Sequence, residues 1–192
     1  SSAKLSWIDA TELSLDDGPG GIGQSMTRIF TTADQLGSDP ANKTLRSQFL
    51  QSSDDTASAF RRTAESLSSA ANGVLQTATT TVDSINTDLA ALEKVNLGLR
   101  RARAGSSNEA TLLDERDRLL DRISASVPVN ATYDARGAVT LSTSDSGYPL
   151  VANGTVSTLA VSALSDGRLE FAIAPGGVFV PSSGALAGHA QG

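Results

Sequence analysis

Residues 41–104 decide the fold, and they read ANKTLRSQFLQSSDDTASAFRRTAESLSSAANGVLQTATTTVDSINTDLAALEKVNLGLRRARA. This stretch contains no proline and only two glycines, Gly73 and Gly98. An average helix in a globular protein has only about 11–12 residues. At ~1.5 Å per residue, this one would reach roughly 95 Å. The stretch therefore predicts a long helical rod, a shape that usually builds or bridges assemblies.

The apolar residues of this stretch return every three, four or seven positions, which places them on one narrow face of a helix. This face consists of Phe60, Leu67, Val74, Ala64, Ala71, Ala78, Ile85, Leu92 and Leu99, with Val82 and Leu89 as a partner row that meets Asn96. Alanine dominates between 64 and 81, and four threonines there have low helix propensity. We expect one long helix, or two collinear helices with a disturbance near residues 72–81, packed against other parts of the protein.

Shorter helices are predicted on both sides of the long one. The first covers about residues 24–36 and ends at Ser38-Asp39-Pro40, since proline disfavours helical geometry in the preceding residue. Pro40 then suits the first turn of the long helix. A second helix starts after Gly105, where Ser106 and Glu109 have the spacing of a capping box, and stops at residues 127–128. Its expected buried face is Leu112, Leu113, Leu119, Leu120 and Ile123.

From Val129 onward the apolar period changes to two, which is typical of strands. Residues 134–137 predict a hairpin turn, and Ser146-Gly147, Asn153-Gly154 and Asp166-Gly167 predict further turns. The clearest strand is 168–173. The fold class is therefore α+β: an elongated long-helix bundle rod with an appended small antiparallel hairpin or sheet region. We expect a helical rod domain over 1–128, including an extended segment at 4–15, and a small β region over 129–192.

Composition limits the function classes. The chain of 192 residues carries 15 Lys and Arg against 21 Asp and Glu, a formal charge of −6. This balance disfavours binding to nucleic acid or to an anionic membrane surface, which needs a basic face. Cysteine is absent from the chain, which excludes disulfides and thiolate metal sites within it. No apolar run approaches the ~20 residues of a membrane span.

Three motifs invite a chemical interpretation. Gly18-x-Gly20-x-x-Gly23 matches the dinucleotide fingerprint, but the flanking strands that this fingerprint requires are not predicted, so a flexible connector is expected. His189 stands in a small-residue tail without the neighbours of a catalytic site. The charged cluster at 114–122 favours a solvated helix face, with Asp114 and Arg118 as an i,i+4 pair. The alternative for this cluster is that Arg116 or Asp117 docks on the rod or hairpin, while Arg122 stays dispensable.

Several segments together resemble one known family, the first flagellar hook-associated proteins, which form the bacterial hook–filament junction. The best match is LLDERDRLL at 112–120, where Glu115 replaces the family's usual Gln, followed at once by a predicted hairpin. The other matching segments are 39–46 with Phe60, 84–86, 91–96, 147–151 and 184–188. The resemblance extends from about residue 5 to residue 188. The family's terminal polymerising segments are missing, so we expect the core fragment of a longer protein.

The resemblance implies a structural adapter with no cofactor, metal or catalytic residue. It implies contacts with hook protein, a second junction protein and flagellin, self-association of the complete protein, and export by the flagellar type III route. We expect this fragment alone to be monomeric. The expected packing residues are Leu112, Leu113, Arg116, Asp117, Leu119, Leu120, Ile123, Phe60, Ile85, Leu92 and Leu99. A flagellin-like protein or a surface adhesin with the same rod remains an alternative, and an enzyme would need a polar pocket that the sequence does not predict.

Overall fold

The computed structural model describes residues 21–190, with side chains through Gly188. Trp7, the extended segment expected at 4–15, and Gly18 and Gly20 of the fingerprint lie outside the described residues, as does the side chain of His189. The described chain is α+β, as predicted. It divides into two compact units, residues 21–72 and residues 73–190. The domain boundary predicted at residue 128 stays a prediction.

The first unit contains helix α1 (Ile22–Ser38) and the beginning of helix α2 (Lys43–Arg101). Pro40 lies in the turn between them and not in the first turn of α2 as predicted. Asn42 supplies the start signal instead, because its side-chain Oδ1 accepts hydrogen bonds from the N–H groups of Thr44 at 3.0 Å and Leu45 at 3.2 Å. These bonds satisfy amide donors that the first helical turn leaves without a partner.

Hydroxyl groups make hydrogen bonds between α1 and α2 in this unit. The Thr32 and Ser52 hydroxyls lie 2.7 Å apart, and the Thr56 hydroxyl donates to the Ser25 carbonyl at 3.1 Å. The buried residues of the unit are small: Ser25, Ser52 and Ala59. Five of its larger apolar side chains are exposed, namely Met26, Phe30, Leu50, Phe60 and Leu67, and others, such as Ile29 and Phe49, are half-buried. No large apolar side chain is therefore fully buried within residues 21–72.

Helix α2 is continuous over Lys43–Arg101, which answers the question that the sequence left open near residues 72–81. The threonines of this segment all donate their hydroxyl hydrogen bonds to the carbonyl four residues earlier, as Thr77 does to Gly73 and Thr81 to Thr77 at 2.9 Å. Their hydroxyls are thereby satisfied without breaking the helical backbone.

The second unit adds helix α3 (Ser107–Ser126), seven strands and helix α4 (Gly184–Ala190) to the rest of α2. The Ser106 hydroxyl accepts from the Glu109 N–H at 3.2 Å, which confirms the predicted cap. The Glu109 carboxylate reaches the N–H of Gly105 at 2.7 Å instead of that of Ser106. Helix α3 packs closely on α2, because a Cβ at Gly98 would lie only 3.1 Å from a Leu112 methyl group.

The strands form two antiparallel sheets where the sequence predicted one region. The four-stranded sheet has the order β1-β2-β3-β4 and the three-stranded sheet the order β5-β6-β7. Their bounds are Val129–Tyr133, Val139–Thr143, Pro149–Ala152, Thr155–Val156, Thr158–Ala163, Leu169–Ala174 and Gly177–Phe179. The predicted turns are confirmed, since Gly137, Gly147, Gly154 and Gly167 adopt positive φ. Glycine adopts this conformation without the steric penalty of a side chain.

One hydrophobic core holds the second unit together. The apolar row of α2 is buried from Ala78 to Leu99 and packs with Leu119 and Ile123 of α3. The sheets contribute Val139, Leu141, Leu150, Val151, Leu159, Phe171, Ile173 and Phe179, and α4 contributes Leu186. Within the described residues, no helix is both long and apolar enough to cross a membrane.

Candidate functional site

The most distinctive local geometry lies where the sheets rest on α2, and Asn96 is at its centre. Asn96 is fully buried, on the same helical row as Val82 and Leu89. Its Oδ1 accepts from the Val139 N–H and its Nδ2 donates to the Val139 carbonyl, both at 2.8 Å. Strand β3 ends before it reaches Val139, so the asparagine amide takes the place of a strand partner. It satisfies two backbone groups that would otherwise be buried without hydrogen bonds.

A second asparagine makes the same arrangement with the other sheet. Asn86 donates to the Leu159 carbonyl at 2.9 Å and accepts from the Leu159 N–H at 2.8 Å. Leu159 lies on β5, an edge strand, so Asn86 also blocks part of an open sheet edge. The asparagine bridges, Asn86 to Leu159 and Asn96 to Val139, therefore attach each sheet separately to one helix. Both connect residues far apart in sequence.

A buried carboxylate lies beside the Asn96 bridge. Glu93 is only 6% exposed, and its Oε2 accepts from Asn96 at 3.3 Å while its Oε1 lies 3.4 Å from an Arg100 guanidinium nitrogen. A buried charge is costly unless it is paired and hydrogen-bonded. Arg100 and Asn96 provide this pairing, and the Asn96 side chain thus links the sheet to an ion pair on α2.

Helix α3 holds the β1–β2 hairpin through Arg116. The Arg116 side chain is 13% exposed, donates to the Gly137 carbonyl at 2.7 Å, and lies over the Tyr133 ring at 4.8 Å from its centroid. Gly137 has φ 77°, a conformation that favours glycine, and a Cβ there would lie 2.9 Å from a Leu113 methyl group. The hairpin also contacts the residue that follows α2, because Arg136 donates to the Ala102 carbonyl at 3.1 Å.

The remaining charges of the cluster are arranged partly as the sequence suggested. Asp117 is exposed and accepts from Arg116 at 2.8 Å. Arg118 pairs with Glu115, not with the predicted Asp114. Arg122 was expected to be dispensable, yet it bonds both carboxylate oxygens of Asp88 on α2, at 2.7 and 3.0 Å. The hydrogen bond to Asp88 raises the pKa of the Arg122 guanidinium.

The other predicted packing residues fall into three groups. Ile85, Leu92, Leu99, Leu119 and Ile123 are buried in the core. Leu112, Leu113 and Leu120 are partly buried against it. Phe60 is 49% exposed. Helical periodicity identifies the face that carries Phe60 but does not specify whether another element covers that face.

Sequence reasoning missed the roles of Asn86, Asn96 and Glu93. Asparagine on an apolar helical row was the available signal for Asn96, because a polar side chain there must find partners in the core. Glu93 gave no such signal. Within the described residues, no group of three or more His, Asp or Glu side chains is placed to hold a metal ion.

Two small sheets are thus attached to one long helix by side-chain amides of that helix. This architecture is typical of a structural helical domain. A family model described as the flagellar hook-associated protein FlgK helical domain matches residues 8–192. The chain therefore belongs to the FlgK helical-domain family. No curated protein matched it.

Family membership gives the chain a structural role in the flagellum as a hook-associated protein, and thereby in motility. It also implies that the partners are flagellar components. The resemblance inferred from the sequence is confirmed.

Proposed function

We propose that this protein is an adapter at the junction between hook and filament. The match to the hook-associated helical domain over nearly the whole chain carries the proposal. The direct passage from α3 into the β1–β2 hairpin, with Arg116 joining them, supports it further. In this role the domain connects the hook to the filament mechanically, and it makes or breaks no covalent bond.

The proposal extends to partners and route. The complete protein contacts hook protein on one side, and the second junction protein and flagellin beyond it. It self-associates, and it leaves the cell by the flagellar type III route. It needs no cofactor and catalyses no reaction. The side chains predicted to pack, from Phe60 to Ile123, stabilise the helical domain or contact neighbouring subunits.

Immunogold labelling tests the location. Antibodies raised against this chain are applied to isolated hook–filament structures from cells that make the full-length protein. We expect gold particles in a narrow zone at the boundary between hook and filament. Label along the whole filament would favour the flagellin-like alternative, and label on the cell envelope would favour an adhesin. Either result would overturn the adapter role.

Deletion of the gene gives an independent test. Cells that lack the adapter should complete their hooks, fail to grow filaments, and release flagellin into the medium. The full-length gene should restore filaments. Normal filaments in the deletion strain would contradict the proposal.

A further inference from the structure

The dipeptide Asn-Gly occurs twice in this chain, in two different backbone environments. Asn72-Gly73 lies inside helix α2, and Asn153-Gly154 forms the turn between β3 and β4. Asparagine followed by glycine is prone to cyclise, since glycine has no Cβ to hinder its backbone nitrogen. The two copies therefore allow a comparison within one molecule.

The turn copy is open to this reaction. Asn153 has φ 52° and Gly154 has φ 86°, and both residues are exposed. The Ala152–Thr155 pair closes the two-residue turn. Among the described residues, the Gly154 N–H has no hydrogen-bond acceptor.

The helical copy is protected by its backbone. In α2 the Gly73 N–H belongs to the regular helical hydrogen-bond series, so its nitrogen is held by the carbonyl four residues earlier. To reach the Asn72 side chain, this nitrogen must first leave the helix.

We propose that Asn153 is a site of spontaneous deamidation in the folded protein. The Gly154 backbone nitrogen attacks Cγ of Asn153 and loses its proton to water. The Cγ–Nδ2 bond breaks, and the side-chain nitrogen leaves as ammonia. Water then opens the cyclic imide at one of its two carbonyls and yields aspartate or isoaspartate. No oxidant or reductant takes part.

The position of the turn gives the modification a structural consequence. A Cβ at Gly154 would lie 3.9 Å from Oε1 of the buried Glu93, which is bonded to Asn96. The turn therefore lies next to a buried carboxylate, whereas the Asn153 side chain itself is exposed. Isoaspartate inserts an extra backbone atom into the two-residue turn and so changes the geometry that pairs Ala152 with Thr155. Aspartate tolerates the left-handed conformation and leaves the turn in place.

The test is ageing of the purified 192-residue chain at mildly alkaline pH, followed by peptide mapping with mass spectrometry and enzymatic detection of isoaspartate. We expect conversion at Asn153 to be more than about tenfold faster than at Asn72, because a helix interior must open first. In urea, where the helix is absent, the two sites should react at similar rates.

Three outcomes would overturn the proposal. In the first, Asn153 is not deamidated in the native chain. In the other two, native Asn153 is deamidated at the same rate as Asn72 or more slowly than Asn72. The variant Asn153→Asp introduces the new negative charge without the extra backbone atom of isoaspartate, so it separates the two effects. We expect Asn153→Asp to unfold at nearly the wild-type temperature, and isoaspartate-bearing chains to unfold at a lower one.

Discussion

Single residues on α2 and α3, each bonded to the backbone of a strand or turn, determine how the sheets are held. The side-chain oxygen and nitrogen of Asn96 both bond to the backbone of Val139, and those of Asn86 both bond to the backbone of Leu159. Arg116 donates one hydrogen bond to the carbonyl of Gly137 in the hairpin turn. Leaving a buried backbone group without a partner costs about 1–3 kcal/mol, more than a typical hydrogen bond contributes net. Substitution of any of these three side chains is therefore expected to lower the free energy of unfolding.

Replacement of Asn96 by alanine should be the most damaging of the asparagine changes. Asn96→Ala leaves the Val139 N–H and C=O unpaired in the core, so we expect the free energy of unfolding to fall by roughly 2–5 kcal/mol. Asn86→Ala should cost less, because the Asn86 side chain is only partly buried. Urea unfolding measures both changes.

The matched control is Asn72→Ala on the exposed surface of the same helix. Alanine has the higher helix propensity, so this change should be neutral or slightly stabilising. Equal losses for Asn96→Ala and Asn72→Ala would show that the Asn96 bridge contributes nothing.

Arginine substitutions on α3 should separate the docked side chain from a solvated one. Arg116→Ala removes a charged hydrogen bond and a ring contact from a mostly buried group. We expect it to lower the free energy of unfolding by about 1–3 kcal/mol, or the melting temperature by several degrees. Arg118→Ala, whose side chain is 66% exposed, should change the melting temperature by no more than about 1 °C. Thermal scans that show no difference between them would contradict docking.

At the scale of elements, the sequence pattern predicted which segments form helices and turns, but it did not predict how the strands are divided between sheets. The helices and turns were predictable because spacing, caps and glycines act locally. The division of the strands into two sheets was not, since it depends on which residues of α2 lie beneath each strand. The asparagine bridges join residues 43 and 73 positions apart, and no local pattern encodes such a pairing.

The start of α4 should depend on a glycine for packing as well as for its conformation. Gly184 has φ 83°, and a Cβ there would lie 2.6 Å from the Ser126 carbonyl oxygen at the end of α3. Gly167 has φ 85° with open space around it. Both Gly→Ala changes should cost about 1–2 kcal/mol for the left-handed backbone, and Gly184→Ala should cost more because of the clash. Equal melting temperatures for the two variants would show that the close approach is not important.

At the scale of the whole chain, the two units differ in what stabilises them. Residues 73–190 share one hydrophobic core, whereas residues 21–72 bury only small side chains. The sequence predicted an apolar face from Phe60 to Leu99 as one continuous feature. The structure buries that face from Ala78 onward, because burial depends on elements that the spacing of apolar residues does not specify.

The oligomeric state of this 192-residue chain stays a prediction. We expect sedimentation analysis to give a monomer at micromolar concentration. A tight oligomer under these conditions would contradict this expectation and would place an assembly contact within the domain itself.

The most direct test of the account is native-state hydrogen exchange of residues 73–190, read amide by amide. The central claim is that the asparagine bridges and one core join both sheets and α2 into a single cooperative unit. The Val139 and Leu159 amides should then exchange with the same high opening free energy as the buried segment of α2. Rapid exchange at Val139 and Leu159 while α2 stays protected would contradict the claim.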